Sequence, residues 1–250
     1  MSRLIHYSQF LARTNRLHEG VSTSQLGNLS YLYEDAAAVT KRRELFARDL
    51  GTTVSQGVMF RPLNQDIIVD VDAAYRGLGM TGGLPLRADA VVTQAAGVGL
   101  FLLLADCQGV SFYDPEHEVI ALAHCSRKST NLKLAAKTLR YLQQNYDTNP
   151  ENALVYLGPS IGADNYVFEG WIRDELDGWG VNLRSVGQDK YSVDVRGYNL
   201  EQLRLAGVRP KHIEDSGIDT YSSTDFYSHV QTDREGGPEA RFAQYIELKS

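Results

Sequence analysis

The sequence has few of the features that mark secreted or membrane-spanning proteins. Two cysteines in 250 residues are too few for a disulfide framework, so both thiols are expected to be reduced. The longest apolar stretch, residues 95–105, is shorter than the roughly 18 residues expected of a membrane helix, and the N-terminal residues lack the apolar core of a signal peptide. We therefore expect a cytoplasmic protein that does not bind membranes.

Long runs of positive charge are also missing. The net charge is −6, and the basic run at 41–43 is too short to follow a nucleic-acid backbone. Nucleic acid is therefore not expected as the main partner. The glycine-rich stretch at 76–84 lacks the Lys-Ser/Thr ending of a phosphate-binding loop, so we predict a mobile loop and no nucleotide cofactor.

The hydrophobic pattern mixes hairpins with helices, and no Ser/Pro/Gly-rich linker interrupts it. This indicates a single compact domain over residues 1–250, of α+β (mixed α/β) class with layered mixed sheets and flanking helices, in preference to a doubly wound parallel sheet. Ser129 or Thr130 is the expected N-cap of the central helix. Helices are predicted over 34–50, 129–146, 168–179 and 198–206. Strands are predicted over 66–72, in three apolar runs between 88 and 124 of which the last pair forms a hairpin, in ALVYLGPSIG, and over 212–219 and 240–248.

Cys107 and His124 carry most of the chemical information. Cys107 closes one apolar run and His124 closes the next, 17 positions later (124 − 107). Adjacent strands would bring the two side chains to one edge of a sheet, where a thiol beside an imidazole is a nucleophile with its base or a pair of metal ligands. The alternative without chemistry is that Cys107 is a small buried hydrophobic residue and His124 an ordinary core histidine. Cys125 should face away from His124, and Asp106 should orient the turn before Cys107.

Four stretches, taken in order, resemble the laccase-domain family, also called the YfiH or polyphenol-oxidase-like purine nucleoside phosphorylase family. The resemblance spans nearly the whole chain. Its most specific part is the Ala-Asp-Cys and Ala-His pairing at 105–107 and 123–124, together with LGPSIG. The four stretches are RLHEGVSTSQLGNLSYL, ADAVVT…LLLADCQGVSFYDPEHEVIALAHC, LVYLGPSIGADNYVF and DTYSSTDFYSHVQTDREGGPEARFAQYIEL.

This resemblance implies phosphorolysis of purine nucleosides such as inosine and adenosine, with phosphate as co-substrate and adenosine deamination alongside. It also implies a zinc site made by two histidines and the cysteine, here Cys107 and His124. The family's first histidine falls on Leu63 or Asn64 in this chain, so His18 or His229 would have to supply the third ligand. The implied fold is also similar to the cytotoxic-necrotizing-factor deamidases, which use a Cys/His pair without metal.

Phosphorolysis further requires an anion subsite, for which guanidinium groups are suited. Asn28, grouped with the substrate- and phosphate-binding residues, would hold a loop by side-chain–backbone hydrogen bonds or merely make a turn. Three aromatic residues of the closing segment would stack on a purine or belong to the core: Tyr221, Phe226 and Tyr227. The arginines that match family arginines are Arg16, Arg42 and Arg241.

Phosphorolysis is thus the first functional hypothesis. A metal-free Cys/His hydrolase or deamidase is the second. The third is a catalytically degenerate relative that binds a nucleoside or a protein partner. The sequence does not indicate an oligomeric state.

Overall fold

The computed structural model describes residues 4–250 and stacks two six-stranded sheets face to face, with helices on both outer faces. The strands are β1 (Ile5–His6), β2 (Leu17–Ser22), β3 (Gly57–Arg61), β4 (Ile68–Asp70), β5 (Leu86–Arg87), β6 (Ala90–Thr93), β7 (Gly99–Leu104), β8 (Gln108–Asp114), β9 (Val119–Cys125), β10 (Leu154–Leu157), β11 (Val167–Glu169), β12 (Leu183–Gly187), β13 (Lys190–Val193), β14 (Ile213–Asp215) and β15 (Phe242–Leu248). The helices are α1 (Gln9–Arg13), α2 (Ala36–Leu50), α3 (Arg127–Asn131), α4 (Leu134–Tyr146), α5 (Ile172–Glu175), α6 (Val195–Leu205) and α7 (His229–Glu235).

Both large sheets are mixed. The first has the strand order β1-β2-β15-β7-β3-β5, and its β3 runs parallel to both neighbours. The second has the order β14-β10-β8-β9-β6-β4, and its two edge strands are parallel to the strands beside them. The predicted hairpin is β8–β9, in which Gly109 pairs with His124. The expected mixed α/β class with layered sheets is confirmed.

The main core lies between the two sheets. Leu102 and Ile246 of the first sheet belong to one buried cluster with Ile120 and Leu122 of the second. The outer face of the second sheet packs on α4 and α6, and that of the first packs on α2. Period-2 alternation along each strand makes these two-sided contacts possible. A third, three-stranded sheet, β11-β13-β12, forms a separate small cluster with α5 and the start of α6.

Two helix predictions were wrong in their bounds. The helix expected over 129–146 is divided into α3 and α4, because Lys133 takes a left-handed conformation (φ 63°) between them. Its N-cap is Ser126, not Ser129 or Thr130; Ser126 and Ser129 form a reciprocal capping box that starts α3 earlier. Over 168–179, the chain begins as β11, paired with β13, and only the four residues of α5 are α-helical.

The remaining elements follow the predictions more closely. The helices over 34–50 and 198–206 are α2 and α6, and the closing strand is β15. The strands expected over 66–72 and 212–219 are present but short, as β4 and β14. The stretch at 76–84 is a loop, as expected. Across residues 4–250, every helix falls short of the length and apolar character that a membrane crossing would need.

Candidate active site

A cavity of about 520 Å³ lies at one end of the first sheet, and both Cys107 and His124 border it. Three arginines and a second histidine border it as well: Arg43, Arg61, Arg241 and His229. This volume lies within the range of small-molecule sites, which combine an apolar wall with a few convergent polar groups. The aromatic and apolar wall includes Tyr31, Leu32, Tyr33, Phe60, Leu84 and Leu103.

Cys107 lies where the chain crosses from the first sheet to the second, between β7 and β8. Asp106, which precedes it, takes a left-handed backbone conformation (φ 75°). The buried Asp106 carboxylate accepts hydrogen bonds from the Thr220 hydroxyl and from the backbone N–H of Val230, each at 2.7 Å. Asp106 therefore fixes the turn that presents Cys107, as the sequence predicted.

His124 lies on β9, one residue before Cys125. Cys125 packs in the cluster under α4 and α6, so the alternation of the strand turns His124 to the opposite face. The backbone N–H of His124 donates to the carbonyl of Asp89 (2.8 Å). The residue is 6% exposed, and its Nδ1 has no hydrogen-bond partner within residues 4–250. Burial lowers the pKa of His124 to about 4, against a smaller opposing effect of the Asp89 carboxylate, so the imidazole is neutral at pH 7.

The Cys107 thiol is also neutral. Burial raises its pKa to about 12, the Asp106 carboxylate adds to the rise, and the Arg241 guanidinium opposes it. A cysteine nucleophile works as a thiolate, which a nearby imidazolium stabilises. The environment of Cys107 and His124 disfavours both of those charged forms.

The cavity does not offer a complete set of metal ligands. His18, one candidate for the third ligand, lies on β2 outside the cavity, and its Nδ1 contacts the carbonyl of the last residue of α2 (2.8 Å). His229 borders the cavity, but its Nδ1 pairs with Glu239. In the chain from residue 4 onward, no three His, Cys, Asp or Glu side chains are arranged to hold a metal ion. Cys107 and His124 are two donors, whereas a catalytic zinc site uses three protein ligands.

Leu63 and Asn64, the two positions on which the family's first histidine could fall, are placed differently. Asn64 borders the cavity and takes a left-handed conformation (φ 58°). Leu63 does not border it; its backbone N–H donates to Oδ1 of Asp89 (2.8 Å). Of these two positions, only residue 64 borders the cavity.

Arg241 is the one arginine of the three matched to the family that borders the cavity. It pairs with Glu239 (2.6 Å), donates to the Tyr33 hydroxyl (2.9 Å) and lies over the Tyr33 ring, 4.7 Å from its centroid. Asn28 helps to place it, since Asn28 Oδ1 accepts the backbone N–H groups of both Ser30 and Arg241 at 3.0 Å. Of the two roles considered for Asn28, the structure shows the loop-holding one.

The other two arginines are held elsewhere. Arg16 forms an exposed ion pair with Glu118. Arg42 pairs with Glu34 (2.6 Å) on the rim of α2. Neither borders the cavity that contains Cys107, so the geometry does not place them in its anion subsite.

Arg61 was missed by the sequence reasoning. It is the last residue of β3, it is exposed at the cavity, and its guanidinium has no ion pair or side-chain hydrogen bond to any residue from 4 to 250. The available signal was a single charge that follows directly on the apolar strand GVMF.

The aromatic residues proposed to stack on a purine also lie outside the cavity wall. Phe226 is buried in the inter-sheet core, and Tyr227 packs against it. The Tyr221 hydroxyl donates to Glu235 (2.8 Å). The aromatic rings that do border the cavity are Phe60 of β3 and two tyrosines of the segment SYLYED, Tyr31 and Tyr33.

The sequence matches one protein-family model and several characterised proteins. A family model described as multi-copper polyphenol oxidoreductase laccase matches residues 11–249. A purine nucleoside phosphorylase from Bacillus subtilis, YlmD, is 26% identical over 240 residues, which cover 92% of this chain and 85% of that protein. Another from Escherichia coli, YfiH, is 29% identical over 165 residues, covering 64% and 65%.

Two solved structures have a similar fold. The crystal structure of a hypothetical protein YfiH from Bacillus licheniformis has a TM-score of 0.87 at 25% identity and covers 94% of both chains. The crystal structure of YlmD from Geobacillus stearothermophilus has a TM-score of 0.86 at 25% identity, covering 93% of this chain and 92% of the other.

Proposed function

This chain belongs to the family described as multi-copper polyphenol oxidoreductase laccase, and on that premise we propose that it is a purine nucleoside phosphorylase acting in the cavity of Cys107 and His124. The proposed substrates are inosine or adenosine with inorganic phosphate. The names of similar proteins support this assignment at the level of the family.

The observation that carries the proposal is that one cavity of nucleoside size is bordered by Arg61 and Arg241, whose guanidinium groups keep unused donors, whereas the third bordering arginine, Arg43, is taken up by backbone carbonyls. Arg61 has no ion pair or side-chain hydrogen bond among the described residues. Arg241 donates to Glu239, to the Ala240 carbonyl and to the Tyr33 hydroxyl, and within the described chain its Nε has no partner. Planar guanidinium groups bind phosphate oxygens through paired, charge-assisted hydrogen bonds. We assign Arg61 and Arg241 to the phosphate.

The base side of the cavity is apolar. Leu32 and Leu84 border its mouth and are 79% and 87% exposed. Both leucines border the same cavity as the Tyr33 ring, and exposed apolar surface gathered at one place often marks a ligand-binding site. We assign them, with the Tyr33 ring, to the faces of the purine, whose burial would remove apolar surface from water.

The proton that the departing purine takes up comes from hydrogen phosphate. An oxygen of hydrogen phosphate forms a bond to ribose C1′ while the C1′–N9 bond breaks and its electron pair leaves with the purine. The proton of the phosphate is then transferred to the released purine, at the nitrogen that had been bonded to C1′. Arg61 and Arg241 stabilise the negative charge, and His229, paired with Glu239 in the wall, is placed to relay the proton. Neutral His124 and the Cys107 thiol are left as hydrogen-bonding groups toward the sugar.

A metal has no assigned role in this reaction. The description of the family refers to copper, but copper centres are built from more imidazole and sulfur ligands than Cys107 and His124 supply. The metal-free deamidase alternative requires a thiolate, which the high pKa of Cys107 disfavours.

The test is incubation of the purified protein with inosine or adenosine, with and without phosphate, and chromatographic detection of the free base and ribose 1-phosphate. Phosphate-dependent formation of both products is expected. Arg61→Ala and Arg241→Ala should raise the KM for phosphate by about tenfold or more, since a lost charge-assisted hydrogen bond costs about 1.5–3 kcal/mol. Arg48→Ala, which removes an exposed arginine of α2 that does not border this cavity, is the matched control.

Base release that is independent of phosphate would replace phosphorolysis by hydrolysis. Absence of turnover by the wild-type protein, at millimolar nucleoside and phosphate, would favour a degenerate relative that only binds.

A further inference from the structure

Two arginines lie side by side at one edge of the first sheet. β3 and β5 are parallel neighbours, and their register places Arg61 directly opposite Arg87, each as the last residue of its strand. Neighbouring strands are about 4.8 Å apart, and side chains that lie directly opposite each other project from the same face of a sheet. The two guanidinium groups are therefore carried on adjacent strands toward the same side.

That side is the one on which the cavity opens. Met59, two residues before Arg61 on β3, borders the cavity, and side chains two positions apart along a strand share a face. Pro85, directly before β5, borders it as well. Met59 and Pro85 approach the same point of the wall, since a Cβ on Gly79 would lie 3.2 Å from Met59 Cβ and 3.0 Å from Pro85 Cα. Arg61 borders the cavity itself, and Arg87 lies one strand further out.

Neither guanidinium group has a counter-charge within residues 4–250. Arg61 and Arg87 are both exposed, and neither makes an ion pair or a side-chain hydrogen bond to that part of the chain. The carboxylates of the adjoining segments are engaged elsewhere: Asp66 pairs with Lys137, and both carboxylate oxygens of buried Asp89 accept backbone N–H groups. Two like charges this close repel each other, and an anion bound between them removes the repulsion.

We propose that Arg61 and Arg87 together bind one inorganic phosphate dianion at the rim of the cavity. Guanidinium groups offer paired N–H donors to phosphate oxygens, and two of them match the charge of the dianion. That this ion is the co-substrate of phosphorolysis rests on the proposed function, whereas the binding site does not. In that reaction Arg61 shares the ion with Arg241 in the cavity, and Arg87 holds it from the side of the edge strand.

The experiment is isothermal titration calorimetry with inorganic phosphate at low ionic strength, without nucleoside. The wild type should bind phosphate at a stoichiometry of one. Arg87→Gln should raise the Kd about tenfold or more, because it removes a charge-assisted hydrogen bond to the ion. Arg61→Gln should raise it by at least as much, since Arg61 also borders the cavity.

Thermal unfolding gives a second readout, with a sign that loss of a structural contact does not produce. Without phosphate, Arg87→Gln relieves the repulsion from Arg61, so its Tm should equal or exceed that of the wild type. Added phosphate should raise the Tm of the wild type, because a ligand that binds only the folded state stabilises it. The same addition should raise the Tm of Arg87→Gln much less.

Arg140→Gln is the matched control. Arg140 is an exposed arginine of α4 that also lacks an ion pair and a side-chain hydrogen bond among residues 4–250, but it does not border the cavity. This substitution changes the net charge by the same amount as Arg87→Gln. It should leave the Kd for phosphate and the phosphate-dependent rise in Tm as they are in the wild type.

An Arg87→Gln protein that binds phosphate as tightly as the wild type would overturn the proposal. So would equal losses of affinity in Arg87→Gln and Arg140→Gln, because the effect would then come from net charge alone. Absence of binding to the folded wild type at millimolar phosphate would have the same consequence.

Inosine 5′-monophosphate separates the free ion from a phosphate group carried by the substrate. We expect it to bind no more tightly than inorganic phosphate. Much tighter binding that is lost in Arg87→Gln would assign the arginine pair to a substrate phosphate and overturn its assignment to the inorganic ion. Phosphate binding that depends on Arg87 without any nucleoside turnover would refute phosphorolysis and still support this site.

Discussion

Asp106 and Val230 are 124 residues apart in the chain, yet the carboxylate of Asp106 accepts the backbone N–H of Val230 at 2.7 Å. The contact joins the turn before Cys107 to the first turn of α7, directly after His229. A carboxylate at a helix N-terminus also interacts favourably with the helix dipole. The buried Asp106 carboxylate therefore fixes the position of Cys107 relative to His229 across the cavity wall.

Replacing this anion should cost stability. Asp106→Ala removes the hydrogen bonds to Thr220 and Val230 and places alanine at a positive φ, so the free energy of unfolding should fall by about 3 kcal/mol or more. Asp106→Asn, which keeps an acceptor and tolerates that backbone, should lose less. Urea unfolding of the three proteins measures the difference. A loss below about 1 kcal/mol for Asp106→Ala would mean that the contact does not hold the wall.

The neutral thiol of Cys107 predicts slow alkylation. With a pKa near 12, only a minute fraction is thiolate at pH 8, so iodoacetamide should react about 100-fold or more slowly than with a free cysteine. Measurement in a Cys125→Ser background isolates Cys107. The urea-unfolded protein is the internal control and should react at the ordinary rate. Fast reaction in the native state would revive the nucleophile hypothesis.

Buried Glu19 should make stability depend on pH. Burial raises its pKa to about 8, with a further contribution from the Glu214 carboxylate, while the Ser8 N–H opposes the rise. Between about pH 4.5 and 8 the folded chain keeps this proton and the unfolded chain loses it. The contribution of Glu19 to the free energy of unfolding therefore falls as pH rises through this window, by at most about 1.4 kcal/mol per unit.

Glu19→Gln removes this titration. The stability of the variant relative to wild type should increase steadily from pH 5 to pH 8 in urea unfolding. Glu44→Gln, at an exposed position of α2, should give a difference that does not change with pH. A constant difference for Glu19→Gln would show that the carboxyl is ionised at neutral pH in the folded protein.

Buried Arg43 should stabilise the cavity wall, which it borders from the inside. Its guanidinium donates to the carbonyls of Leu29, Gly79 and Met80 at 2.7–3.0 Å and lies over the Tyr31 ring. Burial lowers its pKa to about 10, which leaves it charged at pH 7.

Lysine cannot donate to all of these carbonyls from one fixed plane. Arg43→Lys should therefore lower the free energy of unfolding by about 2–3 kcal/mol and raise the KM for the nucleoside, because Leu32 and Leu84 belong to the segments it joins. Thermal and urea unfolding, with steady-state kinetics, measure both. Arg42→Lys, one position away and paired at the surface with Glu34, should change neither.

The parts of the site that were predicted from sequence depend on local pattern. Cys107 and His124 close consecutive apolar runs, and strand pairing alone brings such ends together, which is why both border one cavity. The opposite orientation of Cys125 follows from the alternation of the strand. The mixed sheets and the β8–β9 hairpin were predicted for the same reason.

The parts that were not predicted depend on distant partners. Arg16 and Arg42 match family positions, but Glu118 and Glu34 engage them outside the cavity, and no local signal shows this. Arg61 enters the site because β3 pairs with β7, in which Gly57 lies opposite Gly99, 42 positions later in the chain (99 − 57). The division of the helix at Lys133 is likewise a backbone choice that the apolar pattern does not record.

The position of β15 has a consequence for how the chain folds during synthesis. β15, residues 242–248, is the last strand of the described chain and lies between β2 and β7 in the interior of the first sheet. Until these residues leave the ribosome, β2 and β7 have no common partner, and the apolar faces of both strands stay without their neighbour. Pairings of such large sequence separation form slowly and expose aggregation-prone edges in the meantime. Formation of the first sheet, and of the cavity at its end, therefore has to wait until translation has passed Leu248.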